Sequence, residues 1–262
     1  MIIIGERLNS TRRPVLEAMQ KRNGDYLATE AIRQKDAGAD YIDLNAAVLM
    51  EEEVATLTWA IPLLQKAVSL PLSIDSPNPE AIETGLKVHK GRAIVNSLTA
   101  ERSRIERLLP LIREHKPRVI VLCLDDNGLP KDAVTALNIA REMVELLTRQ
   151  GLSFDDIFVD PLVRAVAADS GTVQVFLDSL AVIKESLPKV RTIAGLSNVS
   201  FGLPQRGLIN RTLLAMAMSR GLDAAICDPS DRDLQASLKA ADALLGRDPS
   251  LKAYLRFVRG KN

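Results

Sequence analysis

Short apolar runs and longer segments of helical period take turns along this chain, and that alternation constrains its fold more than any other feature. Strands are expected at 2–5, 41–45, 72–75, 93–96, 119–125, 157–160, 192–197 and 224–228, each apolar and bounded by turn-forming residues. Between them apolar residues recur every three or four positions. Val54, Leu57, Ile61, Leu64 and Val68 form one such stripe, Val134, Leu137, Met143 and Leu147 another, and Leu234, Leu238, Ala241 and Leu245 a third. Gly151, Gly221 and Gly246 stand where left-handed helix ends would fall, and Ser230 with Asp233 marks a helix start. Pro62, inside a helical stripe, predicts a kink or break.

Parallel strands joined by helices form either an open doubly wound sheet or a closed eight-fold barrel. Eight units spread over 262 residues match the repeat length of a (β/α)8 barrel, a fold of about 250 residues. The first strand runs into Gly5-Glu6-Arg7-Leu8-Asn9, which lacks the glycine pattern of a dinucleotide-binding turn, and no Walker-type phosphate loop occurs. The expected architecture is an α/β fold, one (β/α)8 TIM-barrel domain spanning residues 1–262, with no linker or low-complexity segment dividing it.

The balance of 34 basic and 33 acidic residues leaves no broad positive field, and 3% aromatics supply few stacking platforms, so nucleic acid is not an expected partner. No run approaches the ~18 apolar residues of a membrane span. The N-terminus, Met1-Ile2-Ile3-Ile4-Gly5-Glu6-Arg7, carries no basic targeting region. A cytoplasmic protein without a membrane partner is expected, with Cys123 and Cys227 reduced and buried in apolar runs. An enzyme or a small-molecule binder remains.

The residues that end the strands carry the functional signal. They are Glu6, Asp43 with Asn45, Asp75, Asn96, Asp125, Asp160, Asn198 and Asp228, all of them carboxylates or carboxamides. Alternate residues of a strand share a face, so Asp43 goes with Asn45, Ser73 with Asp75, Ile94 with Asn96, and Leu196 with Asn198. Turned inward, these groups would ring the C-terminal rim of the barrel, where such folds build their sites. One such residue alone reads as turn or cap chemistry; Asp75-Ser76-Pro77-Asn78-Pro79 and Asp160-Pro161 are examples. A ring of them does not. Clustered acids repel, which calls for a donor-rich ligand, a metal, or basic partners such as Arg7 and Arg206.

A metal would have to be an oxygen-ligated Mg²⁺ or Ca²⁺, because His89 and His115 fall near helix C-termini, at the opposite end of a barrel, and are expected as surface or helix-end residues that favour the dipole. Metal ligands are therefore not assigned. Cys123 shares a strand face with Asp125 but has no adjacent histidine to act as its base.

The strand-end motifs are Ile3-Ile4-Gly5-Glu6-Arg7, Asp43-Leu44-Asn45, Asp75-Ser76, Ile94-Val95-Asn96-Ser97, Asp160-Pro161-Leu162, Gly195-Leu196-Ser197-Asn198-Val199-Ser200 and Leu208-Ile209-Asn210-Arg211. With these the chain resembles the methyltetrahydrofolate:corrinoid protein methyltransferases, a branch of the pterin-binding enzymes. The resemblance implies a (β/α)8 barrel, usually a homodimer, which holds tetrahydrofolate or 5-methyltetrahydrofolate by its pterin and docks a separate corrinoid protein carrying cobalamin. It assigns Asp75, Asn96 and Asp160 to the pterin and Asn198 to its N5, with Asn198 and Asp160 catalytic. Glu6, Asp43, Asn45, Asp125 and Arg206 complete the expected substrate site. Asp125 stands where some relatives carry an amide, and the loop 201–207 also departs from the pattern.

Residue chemistry agrees with that implication. A carboxylate accepts a pterin's exocyclic amine and ring N–H together, and an amide serves a neighbouring donor and acceptor. The methyl group sits on an amine nitrogen, a poor leaving group that a hydrogen-bond donor such as Asn198 would assist, and with cobalt as nucleophile no protein nucleophile is needed. The alternatives are a dihydropteroate synthase-like reaction, for which the residues after Asn198 offer only Arg206 to a pyrophosphate, and a non-catalytic folate-binding subunit of a corrinoid complex.

Overall fold

Eight parallel strands hydrogen-bond in sequence order and close on themselves in the computed structural model, which describes residues 1–260. The elements run β1 (Ile2–Asn9), α1 (Arg13–Gln20), α2 (Gly24–Asp36), β2 (Tyr41–Asn45), α3 (Glu53–Ala67), β3 (Leu72–Asp75), α4 (Pro79–Val88), β4 (Ile94–Ala100), α5 (Arg102–His115), β5 (Arg118–Asp125), α6 (Ala133–Arg149), β6 (Ile157–Asp160), α7 (Thr172–Ser186), β7 (Arg191–Gly195), α8 (Arg206–Ser219), β8 (Ala224–Cys227), α9 (Arg232–Leu244) and α10 (Lys252–Val258). The barrel closes where Ile2 to Gly5 pair with Ala224 to Cys227. This is the (β/α)8 TIM barrel expected from the alternation.

Strand periodicity sorts the side chains onto two surfaces. Ile4, Ile94, Ile120, Phe158, Ile193 and Ala224 pack together as the plug of the barrel. Residues of the other parity, such as Ile42, Leu44, Val119, Val121 and Cys123, face the helices and join their apolar stripes in a second layer. Continuing the inward parity beyond the plug reaches Glu6, Asp43 and Asn45, Asp75, Asn96, Asp160 and Asp228. The plug is thus the floor of a polar mouth.

Several local expectations are corrected. β1 continues to Asn9 through a bulge, since the four residues from Gly5 to Leu8 lie opposite the three from Ile42 to Leu44. β4 likewise runs on to Ala100. The strand expected at 192–197 stops at Gly195, and Leu196–Ser200 winds as a 3-10 turn. α3 continues unbroken through Pro62, because the carbonyl that proline frees, that of Thr58, lies on the exposed side. The cap of α9 is Asp231 rather than Ser230; its carboxylate accepts from the Asp233 and Leu234 N–H groups at 3.0 and 3.1 Å. The left-handed glycines hold their places, with φ of +88° at Gly151, +98° at Gly221 and +70° at Gly246.

His89 ends α4 as expected, yet it is buried rather than on the surface. Its Nδ1 faces the Gly91 carbonyl at 3.4 Å and its Nε2 accepts the Leu72 N–H at 3.2 Å. Burial lowers its pKa, so the ring is neutral and serves as a splice between α4 and the start of β3 rather than as a partner of the helix dipole.

Candidate active site at the barrel mouth

Sheet register brings the first group of strand-end residues into one row, with Asn9 beside Asn45, Asn45 beside Asp75, and Asp75 beside Asn96. Asn45 donates to Asp75 Oδ2 at 2.9 Å, while its own Oδ1 accepts from Ser10 Oγ at 3.1 Å. One layer deeper, buried Asp43 accepts from Ser73 Oγ at 2.6 Å and from Asn96 Nδ2 at 3.0 Å. Burial first, and then the neighbouring Asp75 carboxylate, hold the Asp43 pKa well above the ordinary range. Two acids this close cannot both ionise in so little water, so Asp43 keeps a proton and hydrogen-bonds to Asp75. Asp75 is left as the acceptor facing the mouth, and Asn96 presents its carbonyl oxygen.

Asp160 reaches the same level from β6. Burial pushes its pKa up to about 7, against the opposing pull of the Leu162 and Gly195 N–H groups. The Leu162 bond is 2.8 Å long. A cleft of about 290 Å³ opens between β3 and β5, with Asp75, Asn96 and Thr99 on its walls and Leu122 as an apolar surface. Arg104 of α5 borders it and donates to the carbonyls of Ser76 and Ser97, each at 2.8 Å, and to that of Pro77. That arginine ties the β3 and β4 loops together from behind, and nothing in its helical sequence context marks it for the role.

The other half of the mouth is built from β1, β7 and β8. Glu6 accepts from Ser197 Oγ at 2.9 Å, and its pKa is raised, chiefly by burial and further by Asp228. Asp228 is neutralised by Arg7, whose Nη1 lies 2.6 Å away and whose Nε meets Glu30 of α2. Arg7 is thus the counter-charge expected of it. Arg206 is not bonded to an acid: it donates to Ser200 Oγ at 3.0 Å and to the Ser197 carbonyl at 2.7 Å. Glu6, Ser197, Arg206 and Asp228 line a second cleft of about 320 Å³ with Asn9, Arg12 and Asn210.

Asn198 projects from the 3-10 turn after β7, exposed, over Gly195. The approach is close: a Cβ at position 195 would lie 3.0 Å from Asn198 Nδ2 and the amide would have to give way. Among the described residues the Asn198 amide has no hydrogen-bond partner within the protein.

Asp125 is the strand-end acid that the fold keeps out of the ring. β5 presents Ile120 and Leu122 inward, which sends Cys123 and then Asp125 to the helix side. The Asp125 carboxylate closes its own turn, accepting from the Asn127 N–H at 2.8 Å. Cys123 is fully buried and burial drives its thiol pKa up, so it is no nucleophile. Among the described residues no group of three His, Cys, Asp or Glu side chains is arranged to hold a metal ion, and no helix is long and apolar enough to cross a membrane.

A cavity of about 510 Å³ opens at the opposite end of the barrel beside Met1, Asp40 and Arg191. Four of its charges form pairs, Lys184 with Asp223 at 2.5 Å and Arg191 with Asp155 at 3.5 Å. The Asp75 and Asn96 acceptors and the free Asn198 amide stand at the mouth, the end where barrels of this type do chemistry.

Known proteins resemble this chain. Residues 5–228 match the family described as pterin binding enzyme. The chain is 35% identical over 264 residues to the methylcorrinoid:tetrahydrofolate methyltransferase of Eubacterium limosum, covering 100% of this chain and 97% of that protein. It is 28% identical over 88% of its length to methionine synthase of Mycobacterium tuberculosis, of which it spans only 20%. Among solved structures, dihydropteroate synthase of Xanthomonas albilineans with 4-aminobenzoic acid superposes with a TM-score of 0.70 at 21% identity, covering 94% of this chain and 92% of that one. At that identity the likeness speaks to the fold alone.

Proposed function

The chain belongs to the pterin-binding enzyme family, and on that premise we propose that it moves a methyl group between N5 of tetrahydrofolate and the cobalt of a corrinoid carried by a separate protein. The observation that carries this reading is the unpartnered amide of Asn198 above Gly195, across the mouth from a row of acceptors. A flat heterocycle with a donor-rich edge fits that division. Asp75 and Asp160 accept its N–H groups, Asn96 and Asn45 surround them, Leu122 meets the ring face, and Asn198 addresses N5. Glu6 and Arg206 hold the Asn198 turn. Asp43 acts beneath Asp75, and Asp125 outside the contact set.

In the direction that demethylates folate, the N5–methyl bond breaks, its electron pair stays on N5, and N5 gains a proton while cobalt gains the methyl. In the reverse direction the N5 lone pair takes the methyl and N5 releases the proton. A donor amide beside N5 stabilises the extra electron density in either direction, as microscopic reversibility requires. The methylcorrinoid:tetrahydrofolate methyltransferase relative is named for the second direction. The chemistry requires the corrinoid protein to approach over the open mouth. A cytoplasmic homodimer completes the reading, and sedimentation equilibrium tests the dimer.

Incubation of the protein with 5-methyltetrahydrofolate and free cob(I)alamin tests the proposal: stoichiometric loss of methyltetrahydrofolate with appearance of methylcobalamin is expected. Binding of folate without any turnover would instead identify a non-catalytic subunit. Asp75→Ala is expected to weaken folate binding by roughly 1 to 3 kcal/mol by leaving ligand N–H groups unpaired, whereas Asp125→Asn leaves affinity unchanged. Calorimetric titration of both variants measures the contrast.

A further inference from the structure

Nothing in the fold holds the Asn198 side chain itself, so its aim depends on the backbone of the Leu196–Ser200 turn. That backbone is gripped by one side chain in particular. Arg206 opens α8, and the chain reaches it through Gln205 in a left-handed conformation, φ +50°, which folds the start of the helix back over the turn. Its Nη2 donates to the Ser197 carbonyl at 2.7 Å and its Nε to Ser200 Oγ at 3.0 Å, so the planar guanidinium spans the residues on either side of Asn198. Ser200 Oγ in turn donates to the Ser197 carbonyl at 3.2 Å, and Ser197 Oγ ties the turn to Glu6.

We infer that Arg206 is a positioning residue for methyl transfer: its fork fixes the turn that aims the Asn198 amide at N5. The inference rests on the functional reading above. A donor acting on a developing lone pair must be held within a fraction of an ångström, so loosening the turn lowers the rate at saturation more than it lowers affinity. The competing role for this arginine is electrostatic: a cation at the mouth could grip the carboxylates of the p-aminobenzoyl-glutamate tail. The two roles part on a substrate without a tail.

The experiment compares wild type, Arg206→Ala and Arg206→Lys in single turnover with free cob(I)alamin. It uses both 5-methyltetrahydrofolate and a 5-methyltetrahydropterin that lacks the tail, with affinities measured by calorimetry and folding by thermal melting. For Arg206→Ala the saturating rate is expected to fall at least about tenfold on both substrates while Kd moves less than about threefold. Arg206→Lys should be intermediate, since one ammonium reaches a single acceptor without bridging the turn. Arg206→Ala added to Asn198→Ala should cost little more, because the aimed group is already gone.

A loss confined to the tailed substrate and expressed in Kd would overturn the inference in favour of tail binding. An unchanged saturating rate in both variants, with wild type active, would overturn it outright. If Arg206→Ala fails to fold, Arg206→Lys and Ser200→Ala carry the same comparison, with a rate loss on both substrates expected and an unchanged rate refuting it. A wild-type protein without turnover defeats the functional reading, and the inference with it.

Discussion

Asn198→Ala is expected to slow single-turnover methyl transfer about a hundredfold while folate affinity stays within a few-fold of wild type, the magnitude typical of removing a donor aimed at developing charge. The asymmetry follows from where the amide sits. It is exposed on the outer side of the mouth and has no partner in the protein, so its removal leaves no buried group unsatisfied and empties no core. In the methylated ground state N5 is a tertiary amine with one lone pair, and a hydrogen bond to it is weak. As the methyl departs, electron density gathers on N5 and the same bond strengthens, so the interaction belongs mostly to the transition state. Stopped-flow traces of cob(I)alamin consumption at saturating folate, set beside calorimetric Kd values, measure the split. A loss appearing wholly in Kd would make Asn198 an ordinary binding residue. Asn198→Asp removes the donor but keeps the size, so it should fall as far as alanine.

The mouth also explains why part of this site was legible in the sequence and part was not. On β2 and β3 the inward and outward residues differ in kind: Asp43 and Asn45 flank Leu44, and Ser73 and Asp75 flank Ile74. Alternation therefore fixes which face turns inward. β5 reads Arg-Val-Ile-Val-Leu-Cys-Leu-Asp, apolar on both faces, and its parity cannot be told from its composition. Position at the strand end therefore suggests Asp125 for the ring, while the strand's phase sends it outward and gives Leu122 its place at the mouth. Sequence spacing pairs Asn198 with Leu196 as alternate strand residues, yet the turn after Gly195 is what lifts the amide above the rim. Arg104 and the hydroxyls of Ser73 and Ser200 act by gripping backbone or acids from a distance in sequence, and single-chain spacing carries no signal for such contacts. For Arg7 the charge balance of the ring marks the counter-charge, but not which acid it meets: its pairing with Asp228 joins residues 221 apart in the chain.

The second large effect should appear in stability. Asp160 is fully buried and its pKa stands at about 7 rather than the ordinary 3.8, with desolvation the leading cause. Between those two values the unfolded chain has released its proton and the folded protein retains it. Stabilisation by this group is therefore complete below about pH 4 and is lost as pH rises through 7, a decline on the order of a few kcal/mol. The raised pKa values of Asp43, Asp75 and Glu6 push in the same direction, so the free protein should melt progressively lower from pH 5 to pH 8. Asp160→Asn has no charge to bury. Its melting temperature relative to wild type should climb across that interval, even if loss of one backbone acceptor lowers it at pH 5. The same substitution removes the anion that accepts the pterin N–H groups, and folate affinity should fall roughly 10- to 100-fold at pH 8, the cost of a hydrogen bond to a charged group. Bound folate supplies the donors that the ionised form lacks, so in wild type its stabilising effect should grow from pH 6 to pH 8, and in Asp160→Asn it should not. Melting curves with and without 5-methyltetrahydrofolate at those pH values measure each term; equal pH slopes in the two proteins would show that Asp160 is neither the strained acid of the empty mouth nor the anchor of the pterin. A site that is costly to keep empty and is relieved by its ligand is what a row of inward acids on an apolar plug produces.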